Sequence, residues 1–488
     1  MSQPLKPSLD ENKKIIEEMF APSLDFYAKD ISFCGYRACI FILEGLSSVE
    51  KLWIMMLDAL HNDPFRPKSA EDLFAHVKRG TAIPVTNDQV QTAEDALKFL
   101  TAGAGVILID GVAGGIVIST QSLAFRAVSE PNGEGNVKGS REGFTELFRV
   151  NMSLIRRLVR TEHLCIESFY LGEDTKTEVG IFYHEDLAPK KLLDKVRAQL
   201  KHIDIQMLFD TGPLAAFLDK RPHSLFSAIG YTERPATAAA KLCEGKIVIL
   251  ANGSPFALVL PTFFSEHFTT MDDYSSRPYF ATLLRILRYT AFLIAVLLPG
   301  IFVAVANFTP ELFSQQLLYK IAAAEKATPM PLFLEAIFVN FMLEIVREAG
   351  LRMPKAIGHS VSLVAALIIG DAAIRAGILG TPVVVVSALT SLASYAVPSL
   401  YEPIILLRLL FILAGGMFGP LGIVALGMVT LYNISGVYAF GAPYLAPLSP
   451  FSRSFFRDGI LRAGQKTLSR SGPFNIRKLP GAKWGKER

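Results

Sequence analysis

The run Thr381-Pro382-Val383-Val384-Val385-Val386 lies inside a stretch from Ala376 to Tyr401 that contains no Asp, Glu, Lys or Arg. A second uncharged stretch, from Leu409 to Ser452, contains Ile412-Leu413-Ala414-Gly415-Gly416. A helix needs about 20 apolar residues to cross the hydrocarbon core of a bilayer, and both stretches are long enough. A soluble domain has no place for so many consecutive uncharged residues. The sequence therefore predicts an integral membrane protein.

The composition of the residues that precede these uncharged stretches predicts a soluble domain. Across the 488 residues, hydrophobic side chains make up 51% and charged side chains 19%, which falls between a globular enzyme and a transporter. The net charge of +4 is too small to indicate a nucleic-acid partner. The four cysteines follow no metal-ligand spacing, so we expect reduced, buried thiols in a cytoplasmic domain.

Hydrophobic periodicity in the first 280 residues alternates between strand and helix, which predicts an α/β domain. The predicted strands are Arg37–Leu43, Val106–Ile109, Ile116–Ser119, Leu164–Tyr170, Val179–Tyr183, Ile247–Leu250 and Ala257–Leu260. The predicted helices are Ser48–Leu60, Ala70–Arg79, Thr92–Thr101, Glu142–Arg160, Pro189–Lys201 and Ala236–Leu242. Asp110-Gly111 and Asn252-Gly253 are typical of tight hairpin turns.

The two hairpins resemble each other, which indicates a duplication. Ile107-Leu108-Ile109-Asp110-Gly111 is similar to Ile249-Leu250-Ala251-Asn252-Gly253 at an offset of 252 − 110 = 142. The same offset brings Cys39-Ile40-Phe41 onto Ile181-Phe182-Tyr183. We predict two related subdomains, 1–132 and 133–275. Chance similarity between short β-rich runs is the competing explanation.

Six apolar segments predict an all-α polytopic transmembrane bundle over residues 276–450, with five to six crossings. They are Tyr289–Ala306, Leu332–Val346, Ile357–Ala376, Pro382–Pro398, Ile404–Met417 and Leu421–Tyr438. The second and fifth segments are short enough to be re-entrant. Six crossings place both termini on one side, and the basic residues around the first two segments favour the cytoplasm for that side. Residues 451–488 form a basic tail that either contacts anionic lipid or is solvated.

Polar residues inside these segments are the candidate functional residues, because lipid tolerates them only where they face protein or water. In the second segment, Asn340 and Glu344 share a helical face, and Glu335 lies about half a turn away. That face offers either carboxylates for a cation or an internal Glu–Arg pair. In the third segment, Asp371 and Arg375 are four residues apart and can pair.

The third segment also carries a stripe of small and polar side chains, which are pore-lining candidates: His359, Ser362, Ala366, Gly370 and Ala373. Small residues at this spacing permit close packing of helices. They also leave room for water and ions along a pore wall. A ring of identical copies would satisfy both interpretations.

The sequence contains no catalytic motif, and we expect a protein that is not an enzyme and needs no cofactor or metal. Gly111-Val112-Ala113-Gly114-Gly115 lacks the Lys-Ser/Thr of a phosphate loop. The apolar segments are interrupted at Pro299-Gly300, Gly415-Gly416 and Gly419-Pro420. Such interruptions suit a channel or a secondary transporter, although Gly419-Pro420 is better explained as a turn between two spans.

Several ordered motifs between Gly139 and Pro450 resemble the A subunits of spore germination receptors, the GerA family. The matching runs are Arg141–Phe144, Leu154–Arg157, Glu244–Ile249, Gly253–Phe256, Leu283–Arg288, Arg347–Arg352, Pro354–Gly358 and Phe440–Leu445. His359 is a departure, because glutamine is expected there in many members of the family. Residues 1–130 match mainly in layout.

The resemblance implies a subunit of a germination receptor in the inner spore membrane that works with B- and C-type subunits. It implies a homo-oligomer, surrounded by membrane lipid, that forms a nutrient-gated channel for monovalent cations. It also leaves open a sister branch, the stage V sporulation AF proteins, which amplify ion release without sensing nutrients. A secondary transporter remains a further alternative.

Overall fold

The computed structural model describes residues 3–20, 23–47, 65–79, 85–120, 130–131, 133–135, 138–219, 221, 224–353, 370–451, 458–464, 466–467, 475–479 and 481–483. These residues form an α/β domain followed by a helical region, which confirms the predicted fold class. The α/β domain contains two separate antiparallel sheets of five strands each.

The first sheet lies between helices on both of its faces. Its strands are β1 (Phe26–Phe33), β2 (Tyr36–Leu43), β3 (Val85–Val90), β4 (Gly105–Ile109) and β5 (Gly115–Ile118), in the order β1-β2-β4-β5-β3. The helices are α1 (Leu9–Phe20), α2 (Ala70–Lys78) and α3 (Ala93–Thr101). Alternate side chains of β2 point to opposite faces, so that Cys39 and Phe41 pack with α1 and α3 while Ile40 and Ile42 pack with α2.

The second sheet repeats this arrangement. Its strands are β6 (Leu164–Leu171), β7 (Thr177–His184), β8 (Gly230–Thr232), β9 (Ile247–Ala251) and β10 (Ala257–Leu260), in the order β6-β7-β9-β10-β8. The helices are α4 (Phe148–Leu158), α5 (Lys190–Lys201), α6 (Gly212–Leu218) and α7 (Pro235–Cys243). The two sheets share one strand order, as the predicted duplication requires.

The offset of 142 holds for the elements nearest the hairpins, since it carries β4 onto β9 (247 − 105 = 142) and α3 onto α7 (235 − 93 = 142). The offset of 142 is wrong by one residue for the match of β2 with β7. Ile107 pairs with Ile40, and its counterpart Ile249 pairs with Ile181, which gives 181 − 40 = 141. A shift of one residue turns a strand over, so the predicted match of Ile40 to Phe182 joined opposite faces of the two sheets.

A buried ion pair holds the two subdomains together. Arg156 on α4 donates from Nε and Nη2 to the two carboxylate oxygens of Asp25, at 2.6 and 2.8 Å, and both side chains are fully buried. Leu24 also donates its backbone N–H to the Ile166 carbonyl of β6 at 2.9 Å. Removing one member of such a buried pair leaves the other charge uncompensated, so each member depends on the other.

The α/β domain ends with the short helix α8 (Asp272–Ser275). The helical region consists of α9 (Pro278–Phe308), α10 (Gln315–Ala327), α11 (Leu332–Arg352), α12 (Thr381–Ser394) and α13 (Tyr401–Gly436). Among the described residues, α9 and the stretch 398–436 are long and apolar enough to cross a membrane. The pair α10 and α11, bent by 79°, adds a third candidate, and α12 is a shorter apolar helix. Most of the predicted third segment lies outside the described residues.

The helix α13 is a hairpin with its turn at Gly419, where φ is 62° and ψ is −150°. In a continuous helix, residues eight apart lie about 12 Å from each other along the axis. Here a Cβ on Gly422 would touch the backbone oxygen of Ala414, so the chain has reversed direction. Each arm is about 26 Å long at a rise of about 1.5 Å per residue. This explains Gly419-Pro420 as the turn between the predicted fifth and sixth segments.

The first arm of α13 crosses α9 at two glycines. A Cβ on Gly300 would lie 2.5 Å from the Phe411 backbone oxygen, and a Cβ on Gly415 would meet the backbone oxygen of Gly300. Glycines allow two backbones to approach this closely. Two of the interruptions that suggested a transporter are therefore explained by helix packing.

The C-terminal segment returns to the second subdomain. Ile476 and Leu479 are buried in the same core cluster as α5 and α6. The Ile476 N–H donates to the Glu244 carbonyl at 3.0 Å, and the Lys483 N–H donates to the Gly441 carbonyl at 2.7 Å. The first contact attaches the tail to the soluble domain, and the second attaches it to the segment that follows α13.

The expectation that all four cysteines are buried is wrong for two of them. Cys39 and Cys165 lie inside β2 and β6, where burial raises the pKa of their thiols to about 12 and about 11. Cys34 and Cys243 are exposed because they lie at a strand end and at a helix end.

Candidate functional site in the helical region and its junction with the soluble domain

The predicted pore-lining stripe falls partly within the described residues. His359, Ser362 and Ala366 lie outside them. Gly370 lies at the start of a short helical stretch, and a Cβ added there would have no atom of the described residues within 4 Å. Ala373 instead packs against the apolar cluster of α9, α11 and α12. In the described part, the stripe thus has one open position and one packed position.

Asp371 and Arg375 form the predicted pair. Their carboxylate oxygen and guanidinium nitrogen are 2.9 Å apart, and the side chains are 56% and 79% exposed. An exposed pair of this kind contributes little to stability. The pair of Asp371 and Arg375 therefore lies at the surface of the helix and not in a buried site.

Glu344 is the centre of a polar network between α11 and α13. Arg408, whose side chain is 3% exposed, donates to Glu344 Oε1 at 2.6 Å. The Tyr401 hydroxyl donates to Glu344 Oε2, and Arg347 lies 3.7 Å from the same oxygen. Of the two predicted roles for this face, the structure shows a Glu–Arg pair, with the arginine supplied mainly by another helix.

Asn340 and Glu335 connect α11 to α12. Asn340 donates from Nδ2 to the Ala336 carbonyl at 2.8 Å and to Ser387 Oγ at 3.2 Å. Glu335 is 1% exposed and accepts from the N–H of Gly380, the residue that caps α12. In the described part of the chain, Glu335 Oε2 and Asn340 Oδ1 have no hydrogen-bond partner.

Arginines at the start of α9 bind the soluble domain. Arg285 donates from Nε to Asp273 of α8 at 2.9 Å, and both side chains are fully buried. Arg288 donates to the same carboxylate at 3.0 Å. The two guanidinium groups hold the pKa of Asp273 below its usual value, although burial acts to raise it. Arg285 also donates to the Asp458 carbonyl at 2.5 Å, which brings the tail to this junction.

A second junction lies between the soluble domain and the start of α13. His267 Nδ1 lies 3.1 Å from Ser399 Oγ, and His267 Nε2 lies 3.1 Å from the Tyr444 hydroxyl. Burial lowers the pKa of His267 to about 4. The histidine is therefore neutral near pH 7 and can donate from one ring nitrogen while it accepts at the other.

Glu266, next to this histidine, binds two lysines. Lys246 and Lys241 both donate to its carboxylate, Lys241 at 2.7 Å, and Lys246 is fully buried. Burial acts to raise the pKa of Glu266, but the two lysines lower it to about 2. These ion pairs hold the segment of Glu266 and His267, which contacts Ser399, to the second subdomain.

Sequence reasoning missed Arg408, Tyr401, Lys246 and Glu266. Arg408 carried a usable signal, because it is the sole Lys, Arg, Asp or Glu between Glu402 and Arg453. A single charge inside an apolar stretch requires a partner. No local signal marks Lys246 and Glu266, because they are 20 residues apart and meet only in the fold.

A family model and similar proteins of known sequence agree on one family. A family model described as Bacillus/Clostridium GerA spore germination protein matches residues 14–472. The chain is 32% identical to the uncharacterized membrane protein YfkQ of Bacillus subtilis, over 96% of this chain and 91% of that protein. It is 36% identical to spore germination protein KA of the same organism, over 74% and 67% of the two chains.

More distant similarity points to two other proteins. Stage V sporulation protein AF of Bacillus subtilis is 27% identical, over 88% of this chain and 87% of that protein. A solved structure, the N-terminal domain of the A subunit of the Bacillus megaterium spore germinant receptor GerK3, is 25% identical and has a TM-score of 0.41. It covers 54% of this chain and 98% of that domain.

Proposed function

This chain belongs to the GerA family of spore germination proteins, and from that membership we propose that it is an A-type subunit of a germination receptor. It assembles with identical copies and with B- and C-type subunits in the inner spore membrane. The assembly is a nutrient-gated channel for monovalent cations, and its opening starts the release of ions from the spore.

The described helices support insertion in a membrane with the soluble domain on one side. Phe308, at the end of α9, packs against Gly419 at the turn of the hairpin. The opposite ends of these helices lie at the soluble domain, through Arg285 with Asp273, Ser399 with His267, and the Gly436 carbonyl with Arg221. Basic residues at this end favour the cytoplasmic side for it, and so for both termini.

The observation that carries the proposal is the network of Glu344, Arg408 and Tyr401 between apolar helices. Ionisable groups in a membrane-spanning region are costly and are retained mainly for function. The network joins α11 to the first arm of α13, and Ser399, two residues before α13 begins, contacts the soluble domain. A change in the soluble domain can therefore reach these charged groups through Ser399 and the short stretch of backbone from Ser399 to Tyr401.

Oligomerisation is part of the proposal because one chain of this size has little room for an internal pore. Gly300, Gly415 and Gly416 are occupied by contacts within the chain. Gly370 meets no atom of the described residues, so a helix from a second copy can approach the third segment there. On this basis we propose that His359, Ser362, Ala366 and Gly370 face the pore, whereas Ala373 packs within the chain.

The test is potassium release from spores that lack the protein, measured with several nutrients supplied separately. A receptor subunit predicts that the response to one nutrient, or to one group of nutrients, is lost while other responses keep their normal rate. The protein expressed again from the same promoter restores the response. Spores that respond normally to every nutrient would contradict the proposal.

The similarity to stage V sporulation protein AF favours one alternative, an amplifying channel without nutrient sensing. In that case potassium release slows for every nutrient and is abolished for none. The same experiment thus separates the two functions.

A further inference from the structure

The helices α10 and α11 are two halves of a broken element. They are separated by Thr328-Pro329-Met330-Pro331 and bent by 79°. Pro331 has no N–H to continue the helix, and it precedes the first residue of α11. The carboxyl end of α10 and the first turn of α11 therefore meet at an angle, as in the discontinuous helices of transporters.

A buried carboxylate lies beside this break. Glu335, in the first turn of α11, is 1% exposed. Its Oε1 accepts from the Gly380 N–H at the amino end of α12, which favours a negative charge there. Its Oε2 is buried and has no hydrogen-bond partner among the residues that the structure describes. An ionised carboxylate with one unpartnered oxygen is unfavourable inside protein unless a positive charge balances it.

The carboxyl end of α10 lies close to this carboxylate. A Cβ built on Gly380 would be 3.2 and 3.6 Å from the two Glu335 oxygens and 3.4 Å from Ala324 Cβ, in the last turn of α10. Three residues before Gly380, a Cβ on Gly377 would be 3.1 Å from the Ala327 backbone oxygen. The last turn of a helix presents backbone carbonyls that are the negative end of its dipole.

We propose that the break between α10 and α11 binds one monovalent cation, with Glu335 Oε2 as its charged ligand and carbonyl oxygens at the end of α10 as neutral ligands. One buried carboxylate balances one positive charge, whereas a divalent ion usually recruits more carboxylates. Carbonyls at the carboxyl ends of broken helices are established ligands of sodium. Exposed Glu325, in the same last turn, acts on Glu335 electrostatically and attracts cations to this end of the bundle.

This inference rests on the proposed function only for its physiological meaning, since cation binding can be measured without conduction. The purified full-length protein in lipid nanodiscs is titrated with radioactive sodium and rubidium ions. We expect saturable binding of about one ion per chain, at least tenfold weaker in Glu335→Gln. Asp371→Asn, which removes an exposed carboxylate of a neighbouring segment, should bind like the wild type.

Glu335→Asp keeps the charge on a shorter side chain and should retain saturable binding, which makes the test independent of whether Glu335→Gln folds. Wild-type protein without saturable alkali-cation binding would overturn the proposal. Equal binding by folded Glu335→Gln would also overturn it. Stability that responds to pH but to no alkali cation would show that Glu335 takes up a proton only. Binding without channel currents would refute the proposed function alone.

Discussion

At the scale of single residues, the energetic centre of the bundle is the contact of Glu344 with Arg408. Arg408 is almost fully buried, so its charge depends on the carboxylate that it contacts. Removing one partner of a buried ion pair costs about 3 to 5 kcal/mol, because the other charge stays desolvated. Replacing both partners by apolar groups is less costly for the same reason.

We predict that Glu344→Gln destabilises the protein by about 3 kcal/mol, measured by thermal unfolding in detergent. The matched control is Glu348→Gln on the same helix, whose pair with Arg352 is 56% and 80% exposed. That change should stay within about 0.5 kcal/mol. If the two variants lose equal stability, the contact of Glu344 with Arg408 does not contribute the predicted stability.

Glu266 gives a prediction about pH. Its pKa lies near 2 in the folded protein because Lys241 and Lys246 outweigh burial, whereas an exposed glutamate has a pKa of about 4.5. A lowered pKa stabilises the folded state above the unfolded value, and this stabilisation disappears as the pH falls from about 4.5 towards 2.

Wild-type protein should therefore lose more stability between pH 5 and pH 3 than Glu266→Gln does. The measurement is the midpoint of thermal unfolding at each pH. Glu173→Gln, which changes an exposed carboxylate of the same domain, should leave the wild-type dependence intact. Identical pH profiles for wild type and Glu266→Gln would show that this carboxylate is not stabilised by its lysines.

At the scale of elements, the crossing of α9 with α13 depends on glycine. Gly300→Ala places a Cβ 2.5 Å from the Phe411 carbonyl, so the helices must separate. We predict a loss of about 1 to 3 kcal/mol in thermal unfolding, the usual range for overpacking. Gly427→Ala is the control, because a Cβ there has no atom of the described residues within 4 Å and alanine favours helix. A Gly300→Ala protein at least as stable as Gly427→Ala would contradict the observed crossing.

The sequence predicted the elements whose signals are local. All seven predicted strands overlap observed strands, and Gly419-Pro420 is the turn that its composition indicated. The strand β1 was missed because Phe26–Phe33 is an edge strand with mostly exposed or half-exposed residues, so its apolar alternation is weak. The strand β8 has three residues, too few for a period to be recognised.

The candidate site was predictable only in part, because a pattern on one helix does not identify the partner helix. Asp371 and Arg375 are four apart, and their pair followed directly from helical spacing. Glu344 and Arg408 are 64 residues apart, and their contact depends on how α11 packs against α13. The off-by-one match of β2 with β7 has a similar cause, since only strand pairing reveals which residues share a face.

At the scale of the whole molecule, the soluble domain contacts the helical region at several points along the chain. Asp273 holds the start of α9, His267 contacts Ser399 before α13, and the tail returns to the second subdomain at Ile476. The Arg156–Asp25 pair joins the two subdomains, so the soluble part is linked from its first sheet to the helices. This continuity is what the proposed gating requires.

The most direct test of ion conduction is electrical recording from the purified full-length protein in planar lipid bilayers under a potassium chloride gradient. We predict an oligomer in nanodiscs and discrete currents that reverse near the equilibrium potential of potassium. Receptor partners and nutrient should raise the open fraction. A protein that stays monomeric and passes no current, with or without partners, would contradict the account.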